Sequence, residues 1–179
     1  MALAGEFGSA GHLARRFFGA LSPAGPRPPD ATWAVGHLGA GERELWARMS
    51  GPDQRHAVEV ARDALVRLGG SADREVVAAA LLHDVGKVES GFGTFARVGI
   101  TLAAIVAGRE RLSSVPQGAG AVRHRVADYL THDRIGGRLL RDAGSAPLTA
   151  AWAAEHHLPA DRWSVPEPVG RALKAADGD

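Results

Sequence analysis

The chain has 179 residues, enough for one domain with a substantial core, and its 45% hydrophobic and 23% charged residues are those of a folded rather than a disordered protein. A formal net charge of +1 gives no global field for nucleic acid or an anionic membrane, so no nucleic-acid partner is expected. There is no cysteine, which excludes disulfides, thiolate catalysis and thiolate zinc sites and leaves histidine and carboxylate side chains to hold any metal.

In chain order, residues 9–21 (SAGHLARRFFGAL) are expected to form a short amphipathic helix with Leu13, Phe17 and Leu21 on one side. Glu6 and the pair Arg15-Arg16 interrupt any apolar leader, so a cytoplasmic location is expected. Residues 22–29 (SPAGPRPP) are too proline-rich for a helix and read as a linker. The chain then divides into an N-terminal segment with linker, 1–39, and a domain over 40–179. His12 and His37 fall in the first part and are expected to be exposed.

Within the domain, helical periodicity dominates. Helices are predicted over 42–49 and 53–68, broken at Gly51-Pro52. Ser71 is placed as the N-cap of a third, which runs to His83, with Gly86 marking its exit. A loop between Gly91 and Gly93 leads to an apolar helix over 94–111. Its most lipophilic stretch, 98–108 (VGITLAAIVAG), covers about half of the roughly 20 residues that a spanning helix needs. That helix is expected in a core or a homodimer contact, with a membrane surface as the alternative. Helices over 121–130, 133–143, 146–157 and 167–177 complete an all-α bundle.

Several of these helices carry polar residues where apolar ones are due. His56 shares a face with Val60 and Ala64, and Val76 and Ala80 lead to His83 and Asp84. Leu148 and Trp152 lead to His156, with His157 beside it, and Val169 and Leu173 lead to Asp177. Adjacent helical residues diverge by about 100°, so each dipeptide is suited to different directions or different ions. A buried ionised Asp costs several kcal/mol unless paired or bound to a metal. A single metal cluster would satisfy all these groups together. By contrast, His124 lies between Arg123 and Arg125 and is expected on a solvated face, as are Arg138 and Arg141. Asp133 starts a helix, where an acid complements the dipole, and is not counted as a ligand.

His56, His83-Asp84 within HDVGK, and Asp177 resemble the H…HD…D signature of the HD-domain metal-dependent phosphohydrolases, over residues from about 40 to 179. The segment HDRIGGRLL from His132 is similar to the HP-x-x-G-x-x-LL segment of the HD-GYP branch, and His156-His157 to that branch's paired histidines. The resemblance implies an HD-domain-like helical bundle. It implies one metal on His56, His83, Asp84 and Asp177, with Asp84 bridging to a second on His132, His156 and His157. It also implies catalytic roles for Asp84 and for Lys87, which would meet a substrate phosphate as a point charge. Such a ligand set favours two divalent transition metal ions, Mn, Fe, Co, Ni or Zn. The implied substrate is a small-molecule phosphate ester, a nucleotide by family analogy. The alternatives are a non-catalytic HD-type signalling or scaffold domain that binds a nucleotide or protein partner, and oxygen-dependent cleavage at a di-iron site. After His157 the chain reads LPADRWSVPEP and has no Gly-Tyr-Pro, so it resembles a separate HD subfamily; Arg162 and Trp163 are expected at the substrate mouth.

Overall fold

The computed structural model describes residues 24–70, 72–92, 100, 113–114 and 120–178. The predicted helix over 9–21, His12, the Ser71 cap and, residue 100 apart, the apolar helix over 94–111 lie outside the described residues. Among the described residues all regular structure is helical: eight α-helices and two 3₁₀ turns.

Helix α1, Pro28–Gly36, corrects the linker expectation. Two prolines occupy its first turn, where a backbone N–H has no intrahelical acceptor and proline's fixed φ suits the helix. Ala34, and Leu38 just beyond the helix, are fully buried, so the core begins upstream of the boundary expected at residue 40. His37 is half-buried rather than exposed, and its Nδ1 donates to the Trp33 carbonyl at 2.8 Å.

Helix α2 is Ala40–Arg48. Helix α3, Gly51–Arg67, starts where Ser50 Oγ accepts from Asp53 N at 3.3 Å, so Gly51-Pro52 opens this helix and the break falls just before it. Helix α4, Arg74–Leu82, has Asp73 at its N-cap position without a side-chain capping bond and is buried throughout from Val76 to Leu82. A 3₁₀ turn over Val85–Glu89 follows, so Gly86 sits inside a tightened turn rather than at a simple exit. Then come α5 (Ala121–Leu130), α6 (His132–Asp142), α7 (Pro147–Glu155), a short 3₁₀ turn over Ala160–Arg162, and α8 (Glu167–Asp177). No helix among the described residues is long and apolar enough to cross a membrane.

Helix α4 is the hub: it packs between α3 and α7, while α8 lies against α3, and α6 against both α7 and the 3₁₀ turn that follows α4. Leu81, Leu82, Leu140, Trp152 and Leu173 fill the space between them. The α6–α7 contact is close because Gly137 has no side chain. A Cβ there would lie 2.8 Å from Ala154 Cβ and 3.0 Å from the Ala150 carbonyl. Trp152 anchors the same region, edge-on to Trp163 at 5.4 Å between ring centroids. Trp152→Ala is expected to cost about 3–5 kcal/mol, and a thermal melt should register it as a fall of about 2–4 °C per kcal/mol.

Candidate metal centre

Three of the predicted ligand histidines sit at helix ends. His83 and His156 are the residues immediately after α4 and α7, and His132 follows the end of α5 and opens α6. The expected helices reached His83 and His157, whereas the observed ones stop at Leu82 and Glu155. The last carbonyls of a helix lack intrahelical partners, and the imidazoles supply donors for them. His83 Nδ1 donates to Ala80 O at 2.9 Å, His132 Nδ1 to Tyr129 O at 2.8 Å, and His156 Nδ1 to Ala153 O at 3.0 Å. In each case the carbonyl lies three residues upstream. A proton fixed on Nδ1 leaves Nε2 facing inward as the potential ligand, and a backbone carbonyl is a usual partner for a metal-ligating imidazole.

The inward atoms fall into two groups, each with its ligand atoms within 4.8 Å of one another: His56, His83 and Asp177 in one, His132, His156 and His157 in the other. In the first, Asp177 Oδ1 is 2.9 Å from His56 Nε2 and 3.6 Å from His83 Nε2. In the second, His132 Nε2 and His157 Nε2 are 3.4 Å apart, and the His156 and His157 rings lie 4.0 Å apart. Asp84 stands between the groups. Its Oδ2 is 3.4 Å from His83 Nε2, and its Oδ1 is 3.2 Å from His132 Nε2 and 4.0 Å from His156 Nε2. Lys87 Nζ donates to the same Oδ2. The adjacent pair His156-His157 therefore converges on one group rather than serving two.

Burial and charge shape the titration of these groups. Burial alone would lower the His83 pKa, but the Asp84 and Asp177 carboxylates outweigh it and raise it to about 9. Burial also opposes the Asp84 charge, yet Lys87 and His83 hold this carboxyl well below its usual range. For Asp177 the same opposition is overcome by His83 and by the hydrogen bond from His56. Lys87 loses to burial less than it gains from Asp84, with Asp53 adding to the effect, so its pKa rises. His156 goes the other way: burial and the neighbouring His157 and His83 hold it neutral, well below 6.5.

These residues fit a cation. The Nε2 atoms of His83 and His156 are buried and have no hydrogen-bond partner among the described residues, one in each group. A buried polar atom without a partner costs about 1–3 kcal/mol, and a metal ion is a partner that would satisfy the neutral His156 imidazole and, in place of the proton it holds near neutral pH, the His83 imidazole. No family model, curated protein or solved structure matches this chain.

All seven predicted ligands are thus brought together, and Lys87 joins them through Asp84. His157 is the exposed member of its group, and the His56 side chain is 21% exposed, so each group meets solvent at one of its members. Other expectations divide. His124, Arg138 and Arg141 are on the surface as expected. Asp133 accepts from the Arg134 backbone N–H at 2.9 Å at the start of α6. Arg162 is exposed, but Trp163 belongs to the packing rather than to a substrate mouth. Its indole donates to the Leu158 carbonyl at 3.0 Å and lies against Trp152 and Gly170.

Two supporting residues were not foreseen from the sequence. Lys174 Nζ donates to the His156 carbonyl at 2.9 Å and so ties α8 to the end of α7. The Tyr129 ring stacks on His132 at 6.0 Å. The available signal was spacing: Lys174 precedes Asp177 by three residues, and Tyr129 precedes His132 by three.

Proposed function

We propose that this chain is a metal-dependent phosphohydrolase of the HD type that hydrolyses a small phosphate ester, with nucleotides as the substrate class. The observation that carries the reading is Asp84, whose two oxygens face two separate groups of three ligands while Lys87 holds the same carboxylate. His56, His83, Asp84 and Asp177 would hold one divalent ion, and Asp84, His132, His156 and His157 the other. Bound there, such ions lower the pKa of a water and neutralise charge that develops on a phosphoryl group.

The chain's own groups do the rest. The carbonyls of Ala80, Tyr129 and Ala153 keep three imidazoles in the Nδ1–H tautomer and aim them inward. Asp84 fixes the spacing of the two groups by serving both. The Lys87 side chain is 18% exposed, so its ammonium can meet a phosphate oxygen at the centre's edge without leaving Asp84. The open side at His157 admits the ester. The nucleotide assignment rests on family analogy rather than on any base-reading residue.

The test is metal analysis joined to a hydrolysis screen over nucleotide mono- and diesters. Two ions per chain and hydrolysis that chelation abolishes are the expected results. Returning a bound ion at about 100 times its dissociation constant should stabilise the stripped protein by about 2.7 kcal/mol, a rise of about 5–11 °C in melting temperature for a chain of this size. A protein that takes up no Mn, Fe, Co, Ni or Zn and melts unchanged in their presence rules the reading out.

A further inference from the structure

The two ligand groups differ in donor chemistry. Asp84 gives one oxygen to each, so its contribution to the comparison is similar on both sides. What remains is His56, His83 and Asp177 against His132, His156 and His157. One side therefore offers two nitrogens and two oxygens, the other three nitrogens and one oxygen. The difference is one carboxylate exchanged for one imidazole. Neutral imidazole suits zinc and nickel, whereas carboxylate oxygen suits manganese and other hard ions.

Burial reinforces the split. Asp177 is 4% exposed and held between His56 and His83, so its charge acts with little screening. On the other side no second carboxylate stands within the group among the described residues, and the third position is filled by the exposed ring of His157. Lys87 bonds Asp84 Oδ2, the oxygen nearer His83. Its positive charge opposes every divalent ion on that side about equally, so it affects absolute affinity more than the preference between two metals.

We infer that the two halves select different metals: the His56/His83/Asp177 half favours manganese-like ions, relative to zinc, at least tenfold more than the His132/His156/His157 half does. This rests on the metal-centre reading given above and adds to it a mixed-metal preference that neither half would show if the donors were equivalent.

Single-half variants test it without any activity measurement. His157→Ala weakens the imidazole half, and Asp177→Asn weakens the carboxylate half. Zinc and manganese affinities are measured for each by competition with a chromophoric chelator. The zinc-to-manganese affinity ratio is expected to be at least tenfold higher in D177N than in H157A. Equal ratios in the two variants overturn the inference. Should either variant fail to fold, titration of the unmodified chain decides. With each binding step assigned to its half by the NMR ring signals of His56 and His157, the affinity of the carboxylate half relative to the imidazole half is expected to be at least tenfold larger for manganese than for zinc, and equal relative affinities overturn the inference. Two zinc equivalents with equal metal preferences would leave the metal centre standing and remove only the selectivity. No binding of either metal removes both.

Discussion

If the proposed function holds, Asp84→Ala is expected to abolish metal uptake by both ligand groups and to lower phosphate-ester hydrolysis by about 10³-fold or more, since ions bound there would supply several kcal/mol of charge stabilisation and each tenfold in rate is about 1.36 kcal/mol. Asp84 Oδ1 and Oδ2 face His132 and His83 respectively, one histidine in each group. The effect on folding has two opposed parts. Removing the carboxylate strands the Lys87 ammonium, and breaking a buried charge pair costs about 3–5 kcal/mol. The Lys87 side chain is 18% exposed, so it can turn toward water and recover part of that cost. Asp84→Asn separates these effects: it keeps the shape and one acceptor oxygen but removes the charge that both ions would share. The Asn variant should therefore be folded and still bind metal poorly, as measured by metal content after gel filtration. Hydrolysis at the unmodified rate by a folded Ala or Asn variant with its metal complement intact would defeat the assignment of Asp84 as the bridge.

Much of this centre was legible because helix periodicity is a property of the sequence. Val76 and Ala80 lie on the face that leads to His83 and Asp84, Trp152 on the face that leads to His156, and Leu173 on the face that leads to Asp177. All of these residues are buried where the spacing put them. The bounds of α5 at Ala121–Leu130 and of α8 at Glu167–Asp177 also match the residues predicted. Helix ends were less legible. A pattern of apolar spacing cannot show that His83 and His156 take carbonyls of the turn before them and so end α4 and α7. The first helix was hidden for a different reason: composition counts proline as a breaker, but Pro28 and Pro29 fall in a first turn, where proline is tolerated. Trp163 was misread because it follows the paired histidines in sequence, while the fold turns its ring back onto Trp152.

The glycine in HDVGK carries a further expectation. Gly86→Ala should destabilise the protein by about 3 kcal/mol or more, beyond the usual 1–3 kcal/mol of an overpacked core site. A Cβ on Gly86 would overlap the His132 carbonyl oxygen and lie 2.6 Å from Gly136 N and 2.8 Å from the His132 carbonyl carbon. All three obstacles are backbone atoms, so no side-chain rotation relieves them, and the 3₁₀ turn must part from α6. In a chain of this size that is a fall of about 6–12 °C in melting temperature, at 2–4 °C per kcal/mol. The displacement has a direction. It acts on the first turn of α6 and so on His132, while His56 and Asp177 belong to α3 and α8, His83 follows α4, and the three atoms nearest the added methyl group belong to His132 and Gly136. Metal capacity should therefore fall by the ion that depends on His132 before the other is affected. Gly36→Ala is the control, since nothing lies within 4 Å of a Cβ at that helical position and the melt should be unchanged or slightly raised. A Gly86→Ala protein that melts with the unmodified chain and binds the same number of ions would show that the turn does not seat His132.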